Sequence, residues 1–152
     1  MSDLFSELVR RVVALERRSG RLEVVESPIV REWPSVLAEE SAADTSADTT
    51  PVLLITTSLT MPAAGVICAH AYMRCKSSVA ADLADYYLTI DGNAGATLRS
   101  GSLPTTAIWL PATHRRAVAA GAITIALYGL RASGTGTVTF DYKGIQAWGM
   151  PA

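Results

Sequence analysis

Two histidines, two cysteines and a scatter of aspartates are the side chains here best suited to proton transfer, nucleophilic attack or metal binding. His70 alternates with Tyr72 and Arg74 along a candidate strand, where a hydrogen-bonded structural histidine is the expected role. His114 sits in Pro111-Ala-Thr-His-Arg-Arg116, read as a loop, with no second histidine nearby. Cys68 and Cys75 are seven residues apart in one candidate strand. That spacing lacks the close Cys-x2-4-Cys clip of a zinc site and places the two thiols on opposite strand faces, about 23 Å apart at about 3.3 Å per residue. Reduced, buried thiols are expected rather than a disulfide. Asp82, Asp85 and Asp91 lack the alternating oxygen ligands of a calcium loop and read as a solvated rim. No phosphate-cradling glycine loop precedes a helix, and no nucleophile elbow occurs. The expectation is a protein that is not an enzyme, with no cofactor and no metal.

Recognition chemistry is better represented. Exposed aromatic rings flanked by polar groups suit saccharide stacking, and Trp109, Tyr86, Tyr87 and Tyr128 are the candidates. Alternation places Tyr86 and Tyr87 on opposite faces, so one of them lies outside the core. Trp109, His114 and Arg115 form the candidate surface-binding set.

Period-two patterning carries these residues. From Val52 onward, candidate strands cover residues 52–58, 66–76, 86–91, 95–99, 105–110, 122–131 and 137–148, punctuated by turn residues. Such spacing defines an all-β sandwich or barrel for residues 52–152. Val138, Phe140 and Tyr142 alternate with Thr137, Thr139, Asp141 and Lys143, which predicts the first set facing inward. Asp91-Gly92-Asn93 and Gly134-Thr-Gly136 read as hairpin turns. Small residues such as Ala69, Ala71, Ala122 and Ala126 allow close approach of a second sheet or another subunit. Trp148 and Met150 end the last strand in an ordered position.

The chain starts differently. Leu8, Leu15 and Leu22 repeat every seven residues with Phe5 and Val12 between them, the seam of a short coiled coil. In that register Arg11 faces Glu16, and Arg18 faces Glu23, of a parallel neighbour. Helix signals at Ser2, Asp3 and Gly20 bound the helix at about residues 3–19, roughly 25 Å long and marginal in isolation. Leu4, Val9 and Val13 widen the apolar stripe, which suits a trimer or docking onto a larger surface; packing of the helix on its own domain is the alternative. Residues 1–33 thus form a helix and anchoring segment, with Trp33 beside Pro34 as a candidate anchor. Residues 34–51 are small, polar and acidic and read as a flexible linker.

Charge excludes some partners. Residues 1–33 balance, residues 34–51 carry only Glu39, Glu40, Asp44 and Asp48, and the rest is mildly basic, for a formal net charge of −1. Without a clustered basic face, nucleic-acid binding is not expected. No apolar run approaches the roughly 20 residues of a membrane span, and no secretory signal is legible, so synthesis in a cytoplasm without membrane insertion is expected.

The order of a heptad helix, the Leu15-Glu-Arg-Arg18 run, an acidic linker and a Gly/Thr/Ala-rich β domain resembles small virion proteins of tailed bacteriophages, of the head-fibre, tail-fibre or capsid-spike type. The resemblance implies a homotrimer and a jelly-roll-like β-sandwich facing outward. It also implies an N-terminal anchor on capsid or tail proteins of the same particle, and location in the virion after synthesis in the host cytoplasm. Three chains on one axis would let a marginal helix and a small β domain stabilise each other, and would multiply weak contacts with a host-surface glycan. Capsid decoration, with the β head cementing the shell, and a carbohydrate-binding module are the alternative roles.

Overall fold

The computed structural model describes residues 33–152. Alternating apolar side chains divide this region into ten strands: β1 (Ser35–Glu40), β2 (Asp44–Ser46), β3 (Val52–Met61), β4 (Gly65–Ser77), β5 (Leu83–Ile90), β6 (Asn93–Ala94), β7 (Leu98–Arg99), β8 (Ile108–Val118), β9 (Gly121–Ser133) and β10 (Val138–Pro151). They form two five-stranded antiparallel sheets. The first has the order β1-β10-β4-β8 with β2 also on β10, and the second β3-β9-β5-β6 with β7 also on β5. The chain passes between sheets at β2 to β3, β3 to β4, β4 to β5, β7 to β8, β8 to β9 and β9 to β10, the winding of a jelly roll. The all-β expectation therefore resolves to a two-sheet, jelly-roll-like sandwich. The coiled-coil seam of Phe5, Leu8, Val12, Leu15 and Leu22 lies outside the described residues.

The core forms where inward rows meet. Ile67, Ala69, Ala71, Met73 and Cys75 of β4 face Leu88 and Ile90 of β5 and Ile123, Ile125 and Leu127 of β9 within one buried cluster. The alanines of β4 sit among larger neighbours and let the sheets close. The opposite face of β4 presents Cys68, His70, Tyr72 and Arg74, so the two cysteines do lie on different faces: Cys75 is buried and Cys68 half-buried. Tyr86 and Tyr87 separate likewise. Tyr86 is buried, and Tyr87 stacks on Tyr128 outside the second sheet with ring centroids 5.3 Å apart. The turn after β5 is formed as its sequence requires, with left-handed φ of 53° at Asp91 and 71° at Gly92, the combination of a tight hairpin turn.

Four expectations change. Residues 34–51 are not merely a linker, because β1 pairs with β10 from Ser35↔Trp148 to Glu40↔Lys143 and β2 pairs with β10 at Val138↔Ser46. Two of their acidic side chains, Glu40 and Asp44, serve as countercharges for Lys143. The segment 111–116 is strand, within β8, because Pro111 and Thr113 point outward while Ala112 enters the core. Asp82 is no solvated rim: it is 2% exposed, accepts a 2.6 Å hydrogen bond from Ser77 Oγ and receives the backbone N–H groups of Thr135 and Gly136. These bonds pin the 134–136 turn to the β4–β5 connection.

The fourth change lies in β10. The register on β4 shifts between Asp141 and Gly144, and Tyr142 adopts a left-handed φ of 45°. This bulge reverses the alternation. Val138 and Phe140 face inward before it, and Lys143, Ile145 and Ala147 after it. Tyr142 is thereby turned out to 50% exposure, and Lys143 is drawn inside at 1%.

Candidate binding site

The outer face of the first sheet is aromatic where strands of this kind usually carry polar residues. Antiparallel register sets Arg74 opposite both Trp109 and Asp141, and Tyr72 opposite both Pro111 and Gly144. Tyr72 and Trp109 are therefore diagonal neighbours, with ring centroids 6.0 Å apart and planes inclined at 60°. Tyr72 can cross β10 only because position 144 has no side chain. A β-carbon there would come within 2.8 Å of the ring at Cε1.

The β10 bulge adds the third ring. Arg74 holds Asp141 through two hydrogen bonds of 2.6 and 3.0 Å, and its guanidinium carbon lies 4.2 Å from the centroid of Tyr142. Fixed charge on one side and a cation–π contact on the other orient that half-exposed ring. Trp109 stands free at 59% exposure.

β1 supplies the polar wall. The Tyr72 hydroxyl donates to the Glu39 carboxylate, and this bond, with burial next in weight, raises the phenol above its ordinary pKa. At the floor the Lys143 ammonium donates 2.9 Å to the Ala42 carbonyl and pairs with Asp44, with Glu40 at 3.9 Å. Together Glu39, Glu40, Ser41, Tyr72, Trp109, Tyr142 and Lys143 enclose an open hollow of about 460 Å³. Three aromatic rings with carboxylate acceptors can stack an apolar ligand face and accept hydrogen bonds from its rim.

Of the residues singled out from sequence, Trp109 lies in this hollow. His114 and Arg115 line a second one of about 490 Å³, with Cys68, His70, Thr113 and Trp148 among its walls. His114 turns inward there and its Nε2 is buried without a hydrogen-bond partner among the described residues, whereas Arg115 points outward. Trp33 is 52% exposed at the entry to β1. Sequence reasoning missed Tyr72, Tyr142 and Glu39. One signal was present for Tyr142: the apolar phase runs through Val138 and Phe140, then resumes at Ile145 and Ala147, which requires one inserted residue between them. Among the described residues no cluster of three or more His, Cys, Asp or Glu side chains is placed to hold a metal ion.

The fold and this outward aromatic face define a jelly-roll-like sandwich with an open hollow on its first sheet. No known family model matches the chain, and no curated protein matches its sequence. Its architecture is similar to the Eiger TNF of S. frugiperda, with a TM-score of 0.51 at 10% identity over 78% of this chain and 95% of that one. It is likewise similar to the globular domain of zebrafish complement 1qA, with a TM-score of 0.50 at 9% identity over 77% of this chain and 96% of that one. A protein in the structure of infectious bursal disease virus, Gx strain, aligns with a TM-score of 0.50 at 12% identity over 78% of this chain. The chain spans only 32% of that viral chain. At these identities the likeness is one of fold.

Proposed function

We propose that the chain is a structural virion protein of a tailed bacteriophage, a homotrimeric fibre or spike without enzymatic activity. Residues 1–33 dock on capsid or tail proteins of the particle, and the jelly roll faces outward to attach to a surface or receptor. The observation that carries this reading is the outer face of the first sheet, where Trp109 and Tyr142 stay exposed although the domain has a complete core of its own. Aromatic side chains left out of a finished core suit recognition, and parallel trimerisation through the Leu8 and Leu15 seam would repeat the face three times.

Solution mass by light scattering, together with detection of the chain in purified particles, tests this reading. The full chain is expected as a trimer. The double variant Leu8→Asp with Leu15→Asp is expected to lose trimer mass or particle attachment, while the β domain keeps its thermal transition. Unchanged mass and attachment in the double variant would remove the seam from the account.

Cementing of a capsid shell is the second reading. Trp33 and Leu37 favour it, since Trp33 just before the edge strand β1 and Leu37 within it are exposed at 52% and 61% and offer apolar surface to a protein partner. This role predicts a capsid whose melting temperature rises when the protein is added.

A further inference from the structure

We infer that the hollow between β1, β4, β8 and β10 binds a neutral saccharide, with Trp109 as the stacking platform; this rests on the attachment role proposed above and names the ligand chemistry at its site. Shape comes first. A hollow of about 460 Å³, open to solvent, accommodates one or two pyranose rings, not a long polymer or a flat protein surface. Trp109 exposes an indole face that a sugar's C–H face can cover, and the Tyr72 ring inclined at 60° closes one side. Tyr142, held by Arg74, closes another.

Hydrogen bonding comes second. Hydroxyl groups of a sugar donate readily to carboxylates, and Glu39 and Glu40 stand on the wall that β1 supplies. Tyr72 already donates to Glu39, so that carboxylate is oriented before a ligand arrives. Pre-organisation of this kind lowers the entropic cost of weak, shallow binding.

Charge decides between saccharide classes. Arg74 is neutralised by Asp141, and the single Lys143 charge is shared between Asp44 and Glu40, so that with Glu39 the hollow keeps a surplus of negative charge among the described residues. The Lys143 ammonium is fully buried and bonded to Ala42 and Asp44, so it offers no free donor to an anion. Sialic acids, uronates and sulfated sugars are repelled, and uncharged hexoses are admitted. Since each hollow is shallow, single-site affinity is weak and useful attachment depends on several copies acting together.

The test uses the full chain. Saturation-transfer NMR is recorded with methyl glucoside, methyl galactoside, methyl mannoside and N-acetylglucosamine, beside sialyllactose, glucuronic acid and choline chloride. Saturation transfer to at least one neutral sugar, weakened about tenfold by Trp109→Ala and reduced by Glu39→Gln, is expected. Trp109 is exposed and Glu39→Gln preserves shape, so both variants should keep the parental thermal transition. Neutral-sugar signals unchanged in both variants, tighter binding of the acidic sugars, binding of choline alone, or no transfer to any neutral sugar would each overturn the inference. Solution mass and particle attachment are read separately. A chain that remains trimeric and particle-bound yet fails with every sugar overturns this ligand assignment and leaves the virion role standing.

Discussion

The ring of Tyr72 passes over Gly144 of the neighbouring strand, where any β-carbon would overlap it. The contact fixes Tyr72 between Glu39 and Trp109 and so couples four strands through one missing side chain. Gly144→Val should displace the ring, break its bond to Glu39 and cost about 1–3 kcal/mol through overpacking. Urea unfolding measures the stability loss, and a changed Trp emission spectrum reports the lost contact with Trp109. An unchanged midpoint would show that the ring relocates freely.

Lys143 is a buried cation whose partners, Asp44, Glu40 and the Ala42 carbonyl, all come from β1, β2 and their connection. Lys143→Met keeps the volume but removes the charge. Asp44 and Glu40 are partly exposed and can rehydrate, so the loss should be about 1–3 kcal/mol, below the full cost of stranding a buried ion. Hydrogen exchange should then accelerate in residues 35–46 while the β4–β8 pairing stays protected. Uniform acceleration throughout the domain would instead mean that β1 and β2 are integral to global stability.

Acid should destabilise this domain through a small set of carboxylates. Asp82 is held below the ordinary range first by the Ser77 hydroxyl and then by the backbone of Thr135 and Gly136. Asp85 is lowered by Arg99, and Asp141 by Arg74. Their folded pKa values are depressed, so their stabilisation is present above the unfolded value of about 3.9 and is lost as pH falls through the folded values. Thermal midpoints should therefore drop steeply below about pH 4, and Asp82→Asn should lower the neutral-pH midpoint and flatten that acid limb. A parallel acid limb in the variant would remove Asp82 from the set.

The two thiols should differ in reactivity. Burial, with the nearby Asp141 charge second, pushes Cys75 up to about 12, whereas Cys68 is half-buried on the outer face. At about pH 8 a thiol reagent should modify Cys68 in the native protein and reach Cys75 only after denaturant unfolding. Two equivalents reacting at one rate without denaturant would contradict the buried placement of Cys75.

Much of the fold was legible because strand alternation is a local property. The placement of Cys68 and Cys75 on different faces of β4, the opposite placement of Tyr86 and Tyr87, and the Asp91-Gly92 turn all follow from residue order. Residues 34–51 misled for a physical reason: their acidity marks a disordered linker only if no buried cation needs it, and Lys143 was assigned to the outer face. That assignment assumed an unbroken alternation through a bulge.

The sequence by itself determined an all-β domain after residue 52, the two faces of each regular strand, and an exposed role for Trp109. Tertiary structure alone decided that Tyr72, Tyr142, Trp109 and Glu39 share one hollow. They come from four strands, and their meeting depends on cross-strand register, on one left-handed residue and on the empty position at Gly144. Register is a relation between distant segments, fixed when the apolar rows of facing strands and sheets pack together, and the pattern of one strand taken alone does not say which residues of another it will meet.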